Sequence, residues 1–322
     1  MSAPPLYRSL GDRGFQCLLC PHSCILKPGK QGLCGVRTAS EDRIEPQSAP
    51  VTTMAVDPVE KKPFYHFLPG SSSLSIGFSG CNLKCPFCQN HELVSTSFTN
   101  QDITARFILE KVLESGFPSV SFTYSEPLVH IEFLIETAIL LKENNIAPLL
   151  VTNGCINPEP GRWLISHMDA IKVDLKSFNS QWYKNELQGD LDSVKEFISM
   201  ASSMVHLEVV TLIIPGKNDS ESEIRESSEF LACLNRSIPF HLTAYYPQDQ
   251  YSTPPTSPVL LNRLKLIASE SLDHVYTGNT GQQDSTYCGT CGILLIDRNS
   301  GFIYLKPEGL CPECHTPLYG RF

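Results

Sequence analysis

The sequence predicts an α/β fold, a partial TIM-like (β/α)6 barrel with an N-terminal Cys-rich module and a C-terminal zinc-ribbon-like module. Apolar strand patterns alternate with helical patterns along residues 71–280, which favours a parallel sheet covered by helices. Apart from Cys155 and Cys233, the cysteines fall into three groups, one before this region, one near its start and one after it. We therefore divide the chain into residues 1–70, 71–280 and 281–322.

The composition is typical of a globular protein of the cytoplasm. The 322 residues are 41% hydrophobic and carry a net charge of −9, so no overall basic field favours a nucleic-acid partner. The first ten residues lack the apolar core of a signal peptide, and no apolar run approaches the ~20 residues of a membrane helix. We expect a cytoplasmic protein that binds neither membrane nor nucleic acid, and whose cysteines bind metals rather than form disulfides.

Residues 1–70 contain four cysteines and little material for a core. Cys17 and Cys20 form a CxxC pair, which is followed by Cys24 and, after a turn-rich segment, by Cys34. Such a segment needs a metal to organise it. We expect zinc, with an auxiliary iron–sulfur cluster as the alternative, because four cysteines satisfy either. Four unligated thiols are the remaining interpretation.

The barrel region follows a proline-rich linker, residues 56–70, which we expect to be an ordered loop in which His66 packs without binding a ligand. Strands are predicted at residues 74–78, 119–124, 148–152, 170–174, 206–213, 239–244 and 274–277. Helices are predicted between them at residues 102–115, 127–145, 158–167, 191–204 and 221–235. The helical spacing predicts one buried face made of Ile103, Phe107, Ile108 and Val112. Active-site residues are expected where the strands end, at the carboxyl face of the barrel.

Three cysteines, Cys81, Cys85 and Cys88, lie on a loop that leaves the first barrel strand. A structural zinc site is usually closed by four ligands, whereas a four-iron cluster needs one thiolate per iron. Three thiolates on one loop would leave one iron open to bind and activate a ligand. The alternative is a zinc knuckle completed by His91. The loop follows a strand that opens a long α/β pattern. This position favours a cluster with an open iron over a zinc knuckle.

Polar side chains gather at the predicted strand ends. The segments concerned are Phe122–Pro127, Val151–Gly154, Val173–Ser177, Leu212–Asp219 and Tyr245–Pro247. Glu126 and Asp174 can accept hydrogen bonds from the ammonium of a zwitterionic ligand, and Lys176 can bind its carboxylate. Each has a structural alternative, since Ser125–Pro127 can cap a helix and Asp174 with Lys176 can be a surface pair. Their accumulation at the ends of the strands favours a site.

The CxxxCxxC motif, with aromatic Phe87 before its last cysteine, resembles that of the radical S-adenosylmethionine (radical SAM) enzymes. A narrower resemblance is to the AmmeMemoRadiSam-system radical SAM protein, which is similar to the pyruvate formate-lyase activating enzymes. The segments that carry it are Asp57–Gly70, Gly80–Asn90, Thr123–Pro127, Val151–Gly154, Val173–Lys176, Ile213–Ser220 and Val275–Asn279. The resemblance implies a [4Fe–4S] cluster whose open iron binds S-adenosyl-L-methionine (SAM). Reductive cleavage of SAM then yields a 5′-deoxyadenosyl radical that abstracts hydrogen from the substrate.

The resemblance also implies site residues and partners. The residues expected to contact SAM are Phe87, beside the adenine, with Ser125, Glu126, Asn153, Asp174 and Lys176. It identifies no catalytic residue beyond the cluster. Two positions depart from the expected pattern, Cys155 in place of an aromatic and Ser125 in place of Asn; we expect Cys155 to be a small buried residue. The implied partners are an electron donor such as flavodoxin or ferredoxin, AMMECR-type and Memo-type proteins, and a protein or small-molecule substrate.

The last forty residues form a separate unit with zinc-ribbon spacing. Cys288 and Cys291 make one CxxC knuckle, Cys311 and Cys314 make another, and a predicted hairpin at residues 293–305 separates them. We expect a tetrahedral zinc site there, with a rubredoxin-like iron site as the alternative.

The sequence thus predicts a radical SAM oxidoreductase of the activating-enzyme type. Two enzymatic alternatives are a glycyl-radical-enzyme activase and an enzyme acting on a small molecule or on a residue presented by a partner. An alternative from another class is a non-catalytic zinc-ribbon adaptor. The strand-end motifs and the three-cysteine loop disfavour the adaptor, which has no need of an open iron.

Overall fold

The computed structural model of the chain describes residues 2–48, 50–94, 103–247, 251–281 and 283–322. The chain divides into two compact units, each treated by itself below. The first comprises Met1–Asp57, Ser72–Ile171 and Ser180–Val205, and the second comprises Pro58–Ser71, Lys172–Asn179 and His206–Phe322. None of the helices in the described part of the chain is both long and apolar enough to span a bilayer.

The first unit contains short N-terminal strands followed by parallel strands and helices in alternation. Its strands are β1 (Tyr7–Ser9), β2 (Phe15–Cys17), β3 (Ile25–Leu26), β4 (Thr38–Ala39), β5 (Ile44–Glu45), β6 (Val51–Pro58, whose last residue belongs to the second unit), β7 (Ser72–Phe78), β8 (Ser119–Thr123) and β9 (Ala147–Thr152). Its helices are α1 (His91–Val94), α2 (Ala105–Ser115), α3 (Ile131–Glu143) and α4 (Pro158–Ile165). The unit boundary falls within β10 (Ala170–Asp174), and α5 (Ser180–Glu186) and α6 (Leu191–Met204) complete the first unit.

The parallel strands of the first unit hold its core. Strand β7 pairs in parallel with β8, and β8 pairs in parallel with β9, so that Ile76 lies opposite Phe122 and Phe122 opposite Leu150. Strand β6 lies on the other side of β7. The side chains of Ile76, Phe122 and Leu150 are all fully buried, as expected for a parallel sheet covered on both faces.

The second unit repeats the same strand–helix pattern and ends in a small antiparallel sheet. Its elements are β11 (His206–Ile213), α7 (Glu221–Leu234), β12 (Phe240–Ala244), α8 (Pro258–Ala268) and β13 (Val275–Gly278), then β14 (Thr286–Tyr287), β15 (Leu294–Asp297) and β16 (Phe302–Ile303). Strands β11, β12 and β13 are neighbours and parallel. Strand β15 pairs antiparallel with β14 and with β16.

The alternation predicted from the sequence is confirmed, as are the α/β class and the parallel sheet. Caps set the helix bounds: the Thr104 side chain accepts a hydrogen bond from the N–H of Phe107, and Gly116 ends α2 in a left-handed conformation at φ 69°. Residue 102, the predicted start of this helix, lies outside the described residues. The strand at Val51–Pro58 and helices α5 and α8 were not predicted, and part of the linker expected to be a loop is therefore a strand.

One predicted helix face requires correction. Ile108 and Val112 are fully buried and Ile103 nearly so, but Phe107 is 40% exposed. The ammonium of Lys111 lies 5.5 Å from the centre of the Phe107 ring. The helical spacing groups these residues on one side, but the apolar stripe that α2 buries is narrower than the spacing suggests.

Candidate functional site

The three central cysteines lie on the loop between β7 and α1, as predicted. All three are partly exposed, and the N–H of Leu83 donates a hydrogen bond to Cys81 Sγ over 3.3 Å. Desolvation raises the pKa of the Cys81 thiol well above its usual range, and the negative charge of Glu126 adds to the effect. A thiol in such a place ionises readily only when a metal replaces its proton, so the donor chemistry fits a thiolate-bound cluster.

Asn82 ties this loop to the end of β9. Its side-chain amide donates to the carbonyl of Cys155 over 2.6 Å and accepts a hydrogen bond from the amide of Asn153 over 2.9 Å. The amide of Asn153 also lies 3.8 Å from Cys81 Sγ. Sequence reasoning singled out Asn153 but not Asn82. The signal for Asn82 was its position directly after Cys81, where a side chain can reach the neighbouring strand end.

Glu126 forms hydrogen bonds with residues at the same end of β9. Its carboxylate is buried, at 1% exposure, and accepts hydrogen bonds from Thr152 Oγ1 over 2.6 Å and from the Asn153 N–H over 2.7 Å. It also accepts from the Leu128 N–H over 3.2 Å, as N-cap of the 3₁₀ helix Pro127–His130. The helix cap considered for this segment is therefore formed, with Glu126 as the capping residue.

Ser125 and Tyr124, just after β8, form hydrogen bonds to β7 and β6 respectively. The hydroxyl of Ser125 donates to the carbonyl of Phe78, the last residue of β7, over 2.7 Å. Tyr124 adopts a left-handed conformation at φ 72°, which is costly for an aromatic residue and is typical of functional sites. Its hydroxyl donates to the buried carboxylate of Asp57, and with burial this contact raises the pKa of Tyr124 to about 12.

Two further predicted residues of the first unit are buried beside these groups. Phe87 is 3% exposed and stacks on Trp182, with ring centres 5.8 Å apart and planes inclined by 15°. Cys155 is fully buried, as expected, and accepts a hydrogen bond from the Ser193 hydroxyl over 3.6 Å.

In the second unit, Asp174 lies between two lysines. Lys176 Nζ lies 3.2 Å from one carboxylate oxygen of Asp174, and Lys172 Nζ binds the other. Burial alone would raise the pKa of Asp174, but the charges of Lys172 and then Lys176 bring it to about 2. Sequence reasoning missed Lys172, although its spacing of two from Asp174 places both on one face of β10. The trio carries one net positive charge, which suits an anionic group of a ligand.

Asn218 connects the ends of β10 and β11. Its amide donates to the carbonyls of Lys176 over 2.7 Å and of Leu212 over 2.8 Å, and it accepts from the N–H of Ile214 over 2.7 Å. This explains the asparagine of the Ile213–Ser220 motif as a residue that orients the Lys176 backbone.

The sulfurs of the four C-terminal cysteines lie close together. The sulfurs of Cys288, Cys291, Cys311 and Cys314 all lie within 4.8 Å of one another. Both knuckles turn through a left-handed residue four positions after the first cysteine, Gly292 at φ 74° and His315 at φ 57°. Leu295 and Ile296 of β15, together with Leu318, form a buried cluster with Cys288 and Cys311. This group can hold a metal ion.

The N-terminal cysteines line one cavity, Cys17 and Cys20 buried and Cys24 and Cys34 partly exposed. The carbonyl of Cys34 accepts a hydrogen bond from the N–H of Cys81 over 3.1 Å.

The predicted site residues are distributed over both units. Glu126, Asn153 and the central cysteines belong to the first unit, and Asp174 and Lys176 belong to the second.

Comparisons with known proteins identify the superfamily of the chain. The family model of the Radical SAM superfamily matches residues 75–231, which include the three-cysteine loop. The uncharacterized protein MJ0808 of Methanocaldococcus jannaschii is 32% identical over 315 residues, 94% of this chain and 94% of that protein. The pyruvate formate-lyase-activating enzyme of Clostridium pasteurianum is 25% identical over 178 residues, 52% of this chain and 73% of the enzyme.

Among solved structures, Streptococcus suis SuiB bound to S-adenosylmethionine superposes with a TM-score of 0.50. The alignment covers 61% of this chain and 48% of SuiB at 17% sequence identity, which supports the shared fold. The family match, the full-length relative and the thiols on the loop after β7 together lead to one conclusion. The chain belongs to the radical SAM superfamily of iron–sulfur enzymes that bind S-adenosylmethionine.

Proposed function

We propose that the protein is a radical SAM oxidoreductase whose [4Fe–4S] cluster is bound by Cys81, Cys85 and Cys88. The observation that carries this proposal is the placement of three partly buried thiols on one loop after β7, inside the region matched by the family. Held by these three thiolates, the cluster would supply the chemistry of the family, reductive cleavage of SAM followed by hydrogen abstraction from the substrate.

The chain's own residues position the loop and the cosubstrate. Asn82 and Asn153 hold the loop at the end of β9, and Glu126 holds Asn153. Lys176, supported by its neighbour Lys172, is proposed to bind the SAM carboxylate. Asp174 and Glu126 would receive the SAM ammonium.

The remaining predicted contacts follow the same assignment. Ser125 and Asn153 are proposed to line the methionine part of SAM, and Phe87 to border the adenine. The C-terminal cysteines are proposed to hold zinc, because four thiolates that converge closely suit one tetrahedral ion.

We propose a protein, or a molecule delivered by a protein, as the substrate, and assign the chain to the AmmeMemoRadiSam-system type. Similarity to a pyruvate formate-lyase-activating enzyme over half of this chain supports a macromolecular substrate. AMMECR-type and Memo-type proteins are the proposed partners, and a flavodoxin or ferredoxin of the cytoplasm is the proposed reductant. The alternative that this similarity favours is a glycyl-radical activase, which would take hydrogen from a backbone glycine of its partner.

The test is anaerobic incubation of the reduced holoprotein with SAM, with and without candidate partners. We expect 5′-deoxyadenosine, an EPR spectrum that changes when SAM is added, and a mass change in a partner. A glycyl-radical activase would instead leave an organic radical on the partner. The Cys81→Ala, Cys85→Ala, Cys88→Ala triple variant is the control, and 5′-deoxyadenosine formation by this variant would refute the assignment.

A further inference from the structure

The N-terminal cysteines face one small, partly open cavity in the first unit. Cys17, Cys20, Cys24 and Cys34 line one cavity together with Leu26 and Arg37. The N–H of Cys17 donates to the carbonyl of Cys24 over 2.9 Å, and the N–H of Ser23 donates to that of Cys20 over 3.1 Å. These bonds fold the CxxCxxxC segment back on itself, so that its three thiols face the same space as Cys34. All four thiols are free.

A buried cation stands at this cavity. Arg37 is 1% exposed, and its two terminal nitrogens bind the carboxylate of Glu132 over 2.8 and 3.0 Å. Among the described residues, its Nε has no hydrogen-bond partner, although the atom is buried. Thiolates bound to a metal carry net negative charge, so a group of this kind would accept the hydrogen bond that Nε can donate. The sulfur of a neutral thiol is only a weak acceptor.

Two buried thiols, two partly exposed thiols and a buried cation thus lie around one space, and a metal group within it would explain why they gather there.

The distances between the sulfurs distinguish a site for a single zinc ion from a site for an iron–sulfur cluster. Four sulfurs at about 2.3 Å from a single zinc ion must converge closely, and the C-terminal set lies within 4.8 Å. Among the residues that the structure describes, the N-terminal four do not form such a set. They line a cavity instead, as the four thiolate ligands of an iron–sulfur cluster with two or four irons would. The zinc preferred from the sequence is therefore the weaker choice.

The cavity adjoins the catalytic loop, the segment with Cys81, Cys85 and Cys88 to which the proposed function assigns the catalytic cluster. Besides the Cys81 to Cys34 hydrogen bond, His22 Nε2 lies 2.7 Å from the carbonyl of Asn82. Gly80 has φ 77°, and a Cβ there would lie 2.6 Å from the Cys34 carbonyl oxygen. The backbones of the two cysteine segments therefore touch, with no side chain between them at this point.

From these observations we propose that Cys17, Cys20, Cys24 and Cys34 bind an auxiliary iron–sulfur cluster next to the catalytic loop, with Arg37 Nε as a buried hydrogen-bond donor to it. The proposal is separate from the assignment of the catalytic cluster but shares its surroundings. It adds a second iron centre to the protein and leaves zinc to the C-terminal knuckles.

The test is metal analysis and Mössbauer spectroscopy of the full-length protein reconstituted anaerobically. With two four-iron clusters we expect roughly eight irons per chain, or about six if the auxiliary cluster has two irons, and about one zinc. A Cys24→Ser, Cys34→Ser variant should lose the auxiliary iron and keep the zinc. A Cys233→Ser variant, which changes an exposed thiol outside all three groups, should lose neither.

A second variant keeps the test independent of folding effects in the N-terminal module. The triple alanine variant of Cys81, Cys85 and Cys88 should retain about two to four irons with a cluster Mössbauer signature. A parent with about four irons, all of them lost from the triple variant, would overturn the proposal whether it holds one zinc or two. If the triple variant holds no iron, the auxiliary cluster is refuted and the catalytic assignment stands. If instead the parent's iron is lost only in the Cys24→Ser, Cys34→Ser variant, the catalytic assignment fails and the auxiliary cluster stands.

Discussion

The carboxylate of Glu126 accepts the backbone N–H of Asn153 over 2.7 Å, and the side chain of Asn153 in turn reaches both Asn82 and Cys81. A buried acid at the end of β8 thus holds the residue that contacts the cysteine loop. Glu126 can therefore act as a positioning residue, in addition to or instead of contacting SAM.

The first prediction separates these two roles. Glu126→Gln places an amide donor against one of the groups that now donate to the carboxylate, Thr152, Asn153 or Leu128. An unsatisfied or opposed buried donor typically costs about 1–3 kcal/mol, which urea denaturation of the holoprotein will measure. The exposed Glu136→Gln serves as control and should change stability by less than about 0.5 kcal/mol. Unchanged stability with weakened SAM binding would instead make Glu126 a ligand of SAM alone.

The second prediction concerns the close approach at Gly80. Gly80→Ala would place a methyl group 2.6 Å from the Cys34 carbonyl oxygen and close to Val36. Gly70 has the same φ, 77°, with nothing near its Cβ position, so Gly70→Ala measures the backbone strain alone. We expect Gly80→Ala to cost about 1–3 kcal/mol more than Gly70→Ala in thermal or urea unfolding, because the overpacked backbone must shift. Equal costs would mean that the contact between the two cysteine segments yields freely.

The third prediction tests the lysine proposed to bind the SAM carboxylate. Lys176→Met keeps most of the side-chain volume and removes the charge. Loss of a charged partner from a largely desolvated site typically costs ~2–5 kcal/mol, so the Kd for SAM should rise well over tenfold. Calorimetric titration of the cluster-loaded protein measures this, with the exposed Lys184→Met as control. Iron content should be unchanged. Binding within a factor of two of the parent would move the search to Lys217, after β11.

The fourth prediction is a loss of stability in acid that involves His130. Its Nε2 donates to the carbonyl of Ser79 over 2.8 Å, and burial lowers its pKa from 6.5 to about 4. Because the unfolded chain takes up this proton near pH 6.5 and the folded chain only near pH 4, stability falls as the pH is lowered through that range. One such group accounts for on the order of 3 kcal/mol.

Urea denaturation between pH 7 and pH 4 measures the fourth prediction. His130→Gln keeps a donor for Ser79 but cannot titrate, so its stability should depend less steeply on pH, by up to ~1.4 kcal/mol per pH unit. A slope equal to that of the parent would show that His130 is not protonated on unfolding. The remaining slope should come from other groups, since burial also lowers the pKa of His66, His241 and His274.

Local patterns in the sequence were enough to predict most elements and the cysteine groups. The alternation of strands and helices depends on the period of apolar residues, and the strand bounds agree within one or two residues. The convergence of the C-terminal cysteines agrees with CxxC spacing around a short hairpin, a local pattern that can be read from the sequence. Strand Val51–Pro58 and helices α5 and α8 were missed because their patterns are short or are interrupted by polar residues.

Tertiary structure decided the contacts between residues far apart in the chain. The sequence allowed Glu126 to be a helix cap or a ligand of SAM, and its bonds to Thr152 and Asn153 became visible only when β8 and β9 paired. The roles of Asn82 and of the Cys34 carbonyl likewise depend on hydrogen-bond partners far along the chain, Cys155 and Cys81 respectively. Periodicity and spacing report which residues share a face or a loop. The element opposite that face is set by packing of the whole chain, and so only the structure could assign the N-terminal cysteines to a cavity beside the loop of Cys81, Cys85 and Cys88.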